Sequence, residues 1–253
     1  MCRHLGWTGA PRTLAALILD PPQGLLHQSF APRLQSHGLV NADGFGAGWY
    51  VPEVRAEPAR YRRRVPIWTD ASFASLADTI ASTCVVAAVR SASIGMPIEE
   101  TATAPFTHGR YLLSHNGRVD ADRLRGFLPL AAVPESPCDS AVLAALLWHR
   151  LGQPAAAFPE VIARLVLDAA GCNPPGREQA ALNVLVADGT TLCATAWGES
   201  LHLRREAEGT LIASEPGDAG GDWEQVPDRS LVVATAGSVS ITPLSATPLS
   251  TRR

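Results

Sequence analysis

The second residue of the chain is a cysteine, and this position gives it chemistry that an internal cysteine lacks. Removal of the initiator Met1 would leave Cys2 with a thiol and a free α-amine on one residue. An α-amine has a reference pKa of about 7.7–8.0, so near neutral pH a useful fraction can accept the thiol proton. Because a cysteine of ordinary pKa is mostly protonated, such a base would make Cys2 a nucleophile. The alternative is that a cysteine at this position is accidental.

Four further residues lie where a chain commonly builds a binding site. Arg90 ends the apolar run 84–89 just before a loop, and binding groups often lie on such loops. Asn116-Gly117 also follows an apolar run. A hairpin turn is the strongest alternative for this pair, although residues 119–127 are more typical of a helix than of a returning strand. Asp139 precedes a helical pattern, and its default role is a helix N-cap or a first-turn residue.

Two long helices and a series of strands must position these residues. Apolar residues recur at helical spacing over 142–151 and 158–169, and Gly171 closes the second helix. The continuous apolar run 84–89 predicts a strand buried on both faces. The remaining predictions are strands at 5–7 and 49–51, a helix over 73–82, a surface excursion over 52–68, and hairpins over 182–197, 201–213 and 231–241.

This order of elements predicts an α+β fold. Both long helices need a sheet to cover, and the buried strand needs cover on both of its faces. Two antiparallel sheets packed face to face, with helices outside, form a four-layer sandwich that satisfies both needs. We predict a single domain over residues 2–242 and a flexible tail over 243–253, which is rich in proline, serine and threonine.

Composition argues against several classes of function. The net charge is −3, and the chain has no basic stripe, so we expect no nucleic-acid partner. The cluster Arg60–Arg64 lies between prolines and indicates a solvated loop. No apolar run approaches the roughly 20 residues that span a bilayer, and no secretory signal precedes Cys2. We therefore expect no membrane partner.

The cysteines indicate a reducing compartment. The chain has five of them, widely spread and never in a C-x-x-C pair: Cys2, Cys84, Cys138, Cys172 and Cys193. This pattern excludes the usual zinc spacing and argues against a disulfide framework. We expect a cytoplasmic protein without a metal or cofactor, with Cys84 and Cys193 in the core.

Several fragments occur in a fixed order along the chain: Cys2, Asp43-Gly44-x-Gly46-x-Gly48, Arg90-x-Ala92-Ser93-x-Gly95, Pro105-Phe106, His115-Asn116-Gly117 and Asp139. This ordered set resembles the N-terminal-nucleophile (Ntn) class II glutamine amidotransferases, and the similarity covers essentially the whole chain. Residues 1–7, 40–46 and 213–216 resemble more closely the members of that family that act in ergothioneine biosynthesis. The resemblance implies an Ntn-hydrolase fold.

The resemblance also implies a role for each candidate residue. Cys2 would be the nucleophile and its amine the base, forming a γ-glutamyl thioester that water hydrolyses. The side-chain amide of Asn116 and the N–H of Gly117 would form the oxyanion hole. Arg90 would hold the α-carboxylate of the glutamyl group, and Asp139 would hold its α-ammonium. The implied substrate is a small-molecule γ-glutamyl amide.

The fate of the released amine divides the functional hypotheses. Because the chain ends near its last predicted strand, we expect a stand-alone hydrolase with a large leaving group. In the ergothioneine branch that group carries a trimethylammonium and an imidazole. Trp7, Trp49, Trp68 and Trp223 are candidates to contact it by cation–π interaction, although a tryptophan is more often core. A glutaminase subunit that hands ammonia to a partner and an inactive binding module of the same fold remain alternatives.

Overall fold

The computed structural model describes residues 2–153, 157–173 and 179–245. The strands of this part of the chain are β1 (Arg3–Thr13), β2 (Phe45–Trp49), β3 (Ala59–Arg63), β4 (Ala81–Val89), β5 (Phe106–His108), β6 (Tyr111–Arg118), β7 (Ala181–Ala187), β8 (Leu192–Ala196), β9 (His202–Glu206), β10 (Gly209–Ala213), β11 (Glu224–Gln225), β12 (Ser230–Ala234) and β13 (Val239–Pro243). The α-helices are α1 (Leu14–Ile18), α2 (Leu25–Gln28), α3 (Ala71–Ala77), α4 (Ala121–Arg125), α5 (Asp139–Leu151) and α6 (Phe158–Ala170).

The strands form two antiparallel sheets. One sheet has the order β11-β9-β10-β1-β4-β2-β3 and the other has the order β13-β12-β8-β7-β6-β5. Strand β1 lies at the centre of the first sheet, where it pairs with β10 on one side and β4 on the other. The chain therefore runs from Cys2 directly into the middle of a sheet, and this fixes the backbone of the next residues on both sides.

Three apolar clusters define four layers. Val86 and Ile212 from the first sheet pack with Leu185 and Val232 from the second, between the two sheets. Helices α1 to α3 cover the outer face of the first sheet. Helices α5 and α6 cover the outer face of the second sheet. The predicted α+β sandwich with helices outside is thereby confirmed.

Strand β4 explains why residues 84–89 are continuously apolar. Cys84 and Val86 point between the sheets, whereas Val85 and Val89 point toward the helices that cover the first sheet. Both faces are buried, so neither can carry polar residues. The predicted burial of Cys84 and Cys193 is also confirmed, because both side chains are fully enclosed.

The glycine-rich segment departs from the prediction. The strand is Phe45–Trp49, not 49–51, and the glycines lie inside it because neighbouring chain comes very close. A Cβ at Gly46 would lie 2.3 Å from the carbonyl oxygen of Ala104, and one at Gly48 would lie 2.7 Å from the Leu112 side chain. The glycines therefore allow a close approach of neighbouring chain within the strand itself.

Residues 52–68 are not only a surface excursion, and this part of the prediction was wrong. Strand β3 pairs with β2 at the edge of the first sheet. Arg60 and Arg62 in this strand form ion pairs with Glu135, so the arginine cluster is an edge strand and not a solvated loop. Charged side chains on an edge strand discourage pairing with another chain.

Three element boundaries also differ from the prediction. Strand β1 continues through Gly9–Pro11, with an irregular register between Thr8 and Arg12 that accommodates the proline. Helix α3 ends at Ala77 because the chain must enter β4 at Ala81. At the other end, β13 includes Pro243, and the Leu244 N–H donates to the carbonyl of Arg229 (2.6 Å). Most of the predicted tail, 246–253, lies outside the described residues.

Candidate active site

The backbone of Cys2 is anchored by the side chain of Arg3. The Nε of Arg3 donates to the Cys2 carbonyl oxygen at 2.7 Å. The Cys2 side chain is half-buried, and its Sγ lies 4.0 Å from the carbonyl oxygen of Ser91. The thiol is therefore accessible and lies beside the loop that follows β4.

Arg3 itself lies in a buried network of charges. Its side chain is fully enclosed, with Nη1 at 3.1 Å from Glu215 Oε1 and Nη2 at 3.4 Å from Glu199 Oε2. The second oxygen of Glu215 accepts from the Arg33 N–H (2.7 Å), and that of Glu199 accepts from the Ser36 hydroxyl (2.6 Å). Through the two carboxylates, Arg3 joins the start of β1 to the segment 33–36.

Cys2 and Arg90 line the same small cavity. Its remaining wall consists of Ala88, Val89, Ala102, Thr103, Ala104, Phe106, His115 and Ser140. Arg90 is 7% exposed, and its Nη1 has no hydrogen-bond partner within the described residues. A buried guanidinium donor without a partner is costly, so an anion in this cavity would satisfy it.

The glycine-rich segment positions Arg90. The backbone N–H of Arg90 donates to the carbonyl of Gly44 (2.7 Å), and its own carbonyl accepts from the Asp43 N–H (2.9 Å). The Asp43 carboxylate then accepts from the Ala92 N–H at 2.8 Å. The loop after β4 is thus held on both sides of the arginine.

Asn116 and Gly117 lie inside strand β6, so the hairpin-turn alternative for this pair is wrong. They pair with Asn183 and Leu182 of β7. The Asn116 side chain is fully buried and faces the first sheet, where its Nδ2 lies 3.5 Å from the Ser214 hydroxyl oxygen. A Cβ at Gly117 would lie 1.9 Å from the Ala181 carbonyl oxygen, so only glycine fits here.

Two histidines lie on opposite faces of β6, one from β6 itself and one from β1. His115 points toward helix α5, where its Nδ1 lies 2.9 Å from Ser140 Oγ, and its ring lines the cavity. His4 is buried between the sheets, with its Nδ1 3.2 Å from Ser114 Oγ. Burial, with the nearby charges of Arg3 and His115, lowers the pKa of His4 to about 3, so its ring is neutral near pH 7.

Asp139 is the first residue of helix α5. One carboxylate oxygen accepts from the Val119 N–H (3.1 Å) and the other from the Ser140 N–H (2.8 Å). The side chain thus joins the helix start to the end of β6, which matches its default first-turn role. The cavity wall contains the adjacent Ser140 and not Asp139, so of the five candidates the structure brings only Cys2 and Arg90 together in this cavity.

A much larger cleft contains Gly117 and the residues that follow Arg90 in its wall. Four charged residues also line it: Arg118, Glu199, Asp228 and Arg229. Trp197 is part of this wall, and the Arg229 guanidinium lies 5.3 Å from its ring centroid.

None of the four candidate tryptophans lines either the cavity or the cleft. Trp197 is not among the tryptophans that the sequence pointed to. Its position after β8, in a predicted hairpin strand, gives no local signal of a binding role.

The described residues contain no group of three or more histidine, cysteine, aspartate or glutamate side chains that could hold a metal ion. Their five cysteines are all free thiols. Across the described ranges, no helix is both long and apolar enough to cross a membrane.

Comparison with known proteins identifies the family. The γ-glutamyl-hercynylcysteine sulfoxide hydrolase of Mycolicibacterium smegmatis is 50% identical over 244 residues, covering 96% of this chain and all of the relative. The chain belongs to the γ-glutamyl-hercynylcysteine sulfoxide hydrolase family. The hydrolase of the same name from Mycobacterium tuberculosis is 46% identical over 245 residues, covering 96% of this chain and 97% of the relative. No family model matches the sequence.

Solved structures place this hydrolase family member in the expected fold. A glutamine aminotransferase class-II domain protein from Silicibacter pomeroyi superposes with a TM-score of 0.66 at 20% identity, covering 96% of this chain and all of that one. The resemblance to class II glutamine amidotransferases is thereby confirmed for the fold.

Proposed function

We propose that this chain hydrolyses the γ-glutamyl amide bond of γ-glutamyl-hercynylcysteine S-oxide, releasing glutamate and hercynylcysteine S-oxide in ergothioneine biosynthesis. The observation that carries the proposal is that Cys2 and Arg90 line one small cavity, and that the Nη1 of Arg90 has no partner among the residues that the structure describes. Membership of the hydrolase family supports the choice of substrate. A cytoplasmic location is part of the proposal, and the five free thiols support it.

The reaction begins at the thiol of Cys2. With Met1 removed, the α-amine takes the thiol proton, and the sulfur attacks the γ-carbonyl carbon. The tetrahedral intermediate collapses as the protonated amine gives its proton to the leaving nitrogen, which breaks the C–N bond and leaves a thioester. Water then attacks the thioester carbon, releasing glutamate and restoring the thiol. The steps need no cofactor.

Asn116 and Gly117 are the proposed donors to the oxyanion. The Asn116 side chain faces the sheet that Cys2 leads into, and the half-buried Gly117 lies in the wall of the cleft. Fixed donors at the position of a developing negative charge stabilise the transition state more than the ground state. The loss of one such donor typically costs about 10²–10³-fold in kcat.

Arg90 and Asp139 are proposed to bind the amino-acid end of the glutamyl group. The planar guanidinium of Arg90 suits a carboxylate, which would satisfy its buried Nη1. Asp139 already accepts from two backbone N–H groups and from the Ser140 hydroxyl (3.4 Å), but its Oδ2 has a second lone pair that could accept from an α-ammonium. The two charges would select a free α-amino acid.

The large cleft favours a bulky leaving group over ammonia. Its wall carries both acidic and basic residues as well as Trp197, and a hercynylcysteine S-oxide group carries carboxylates, a trimethylammonium and an imidazole. A glutaminase subunit would release only ammonia and would not need such a wall. The inactive binding module, the other alternative, would not need a reactive Cys2.

Two measurements on the purified protein test the proposal. Intact mass before and after treatment with 6-diazo-5-oxo-L-norleucine should reveal a species that lacks Met1 and is labelled at Cys2, with no label in Cys2→Ser. Labelling elsewhere with Met1 retained would contradict the mechanism and favour the binding module. Turnover of γ-glutamyl-hercynylcysteine S-oxide should exceed that of glutamine, and a strong preference for glutamine would favour the glutaminase.

A further inference from the structure

A buried serine lies 98 residues after Asn116 in the chain but beside it in space. Ser214 directly follows β10 and is fully enclosed. Its backbone N–H donates to the His4 carbonyl (2.9 Å), and its Oγ accepts from the His4 N–H (3.0 Å). The hydroxyl is therefore fixed relative to a residue only two positions after the nucleophile.

The amide of Asn116 is incompletely bonded in the orientation described. Its Nδ2 lies 3.5 Å from Ser214 Oγ, the upper limit of a hydrogen bond, while its buried Oδ1 has no partner in the described part of the chain. Buried polar atoms normally have a partner. The two ends of a side-chain amide have nearly the same shape, so hydrogen bonding decides which end points which way.

Turning this amide by half a rotation gives the Ser214 hydroxyl an acceptor and places a donor, instead of an acceptor, where the amide has no partner among the described residues. Ser214 Oγ already accepts from the His4 N–H, so its own proton is available to a second partner. Oδ1 of the turned Asn116 amide would accept that proton. Nδ2, with its two N–H groups, would then occupy the place where Oδ1 has no partner. Only this orientation offers a donor there, and an oxyanion needs a donor.

We propose that Ser214 is a positioning residue, whose hydroxyl donates to Asn116 Oδ1 and thereby aims the Nδ2 donor at the acyl oxygen formed on Cys2. The inference rests on the proposed function, since it assumes that Asn116 stabilises the oxyanion. It adds a residue that does not touch the substrate. The serine acts by fixing which end of the Asn116 amide faces the acyl oxygen.

A double-mutant cycle in kcat tests this role. Ser214→Ala should lower kcat roughly tenfold with little change in KM, because one orienting hydrogen bond is lost. Asn116→Ala should lower kcat by about 10²–10³-fold. In the double variant, Ser214→Ala should add almost nothing, because no amide is left to orient. Ser200→Ala is the matched control, since that hydroxyl donates to the Ser214 carbonyl (2.8 Å) and not to Asn116.

Each outcome separates the two proposals. Losses that multiply in the double variant, or an unchanged kcat in Ser214→Ala, would overturn the positioning role while leaving the hydrolase mechanism intact. An unchanged kcat in Asn116→Ala would overturn the oxyanion role itself. If Ser214→Ala does not fold, as judged by circular dichroism and thermal unfolding, Ser214→Cys supplies the cycle, because it keeps the size but donates weakly.

Discussion

At the scale of single residues, Arg3 combines complete burial with two carboxylate partners and a bond to the Cys2 carbonyl. Arg3→Met would leave Glu199 and Glu215 buried without their cation. Breaking a buried pair in this way typically costs about 3–5 kcal/mol. We expect a matching drop in the free energy of unfolding, measured by urea denaturation.

The matched control for this change is Arg205→Met. Arg205 pairs with Glu224 on the surface, where both side chains are about half exposed. Exposed pairs contribute roughly 0–1 kcal/mol, so this variant should stay close to the wild type. Equal losses in the two variants would show that the burial of the Arg3 network does not matter.

His4 gives the stability a defined dependence on pH. Its folded pKa of about 3 lies below the ordinary value of 6.5, because burial disfavours the charged ring. Between these values the unfolded chain binds a proton that the folded chain does not, so stability falls as the pH drops below 6.5. The slope from one such group reaches at most about 1.4 kcal/mol per pH unit.

Urea denaturation between pH 7 and pH 4 measures this effect. His4→Gln should have a flatter dependence than the wild type over that range, whatever its stability at pH 7. His108→Gln, at an exposed position, should keep the wild-type slope. A His4→Gln slope equal to that of the wild type would mean that this buried ring is not the source.

The sequence predicted two residues that line the cavity, but it did not predict the buried contacts that hold them in place. Cys2 and Arg90 were predicted from their positions at the chain start and at a strand end. Arg3 and His4 lie in the same opening fragment, yet their partners Glu215 and Ser114 are more than 100 residues away. Such contacts depend on how strands are paired, and no local pattern records them.

At the scale of elements, the glycines of β2 allow the tight packing of that strand. A Cβ at Gly46 would overlap the Ala104 carbonyl oxygen, which is backbone and cannot turn aside. Gly46→Ala should therefore cost about 1–3 kcal/mol, as overpacking does. That would lower the melting temperature by at least about 2–4 °C for a domain of this size.

Gly237→Ala is the control for this prediction, because no atom of the described residues lies within 4 Å of the added Cβ. Differential scanning fluorimetry of both variants would make the comparison, and Gly237→Ala should remain within about 1–2 °C of the wild type. An unchanged melting temperature in Gly46→Ala would show that the edge of the sheet can move.

Elements with a strong local pattern were predicted from the sequence, and those defined by tertiary pairing were not. The helices α5 and α6, the strand β4 and the three late hairpins all have clear periodicity, and all are present. Strand β3 is rich in arginine and close to prolines, so it lacks a strand pattern. It exists because β2 offers an edge to pair with.

At the scale of the whole molecule, the candidate site lies where the two sheets meet. Cys2 leads into β1 at the centre of one sheet, and Asn116 lies in β6 of the other. The large cleft beside them is lined by segments from six separate parts of the chain. A sequence read in order cannot reveal that wall, which is why Trp197 was missed.

This arrangement predicts that the cavity and the cleft serve different parts of the substrate. Trp197→Ala should lower kcat/KM for γ-glutamyl-hercynylcysteine S-oxide by roughly 2- to 30-fold, the range of a cation–π contact with its trimethylammonium group. The same variant should turn over glutamine as the wild type does, because glutamine has no such group.

Arg90→Lys should instead lower the turnover of both substrates, since a lysine cannot form the two-point bond to the shared α-carboxylate. Steady-state kinetics with both substrates would test this division, with the half-exposed Trp68, which lies outside cavity and cleft, changed to alanine as the control. Equal losses of kcat/KM for the two substrates in Trp197→Ala would mean that the cleft does not bind the leaving group.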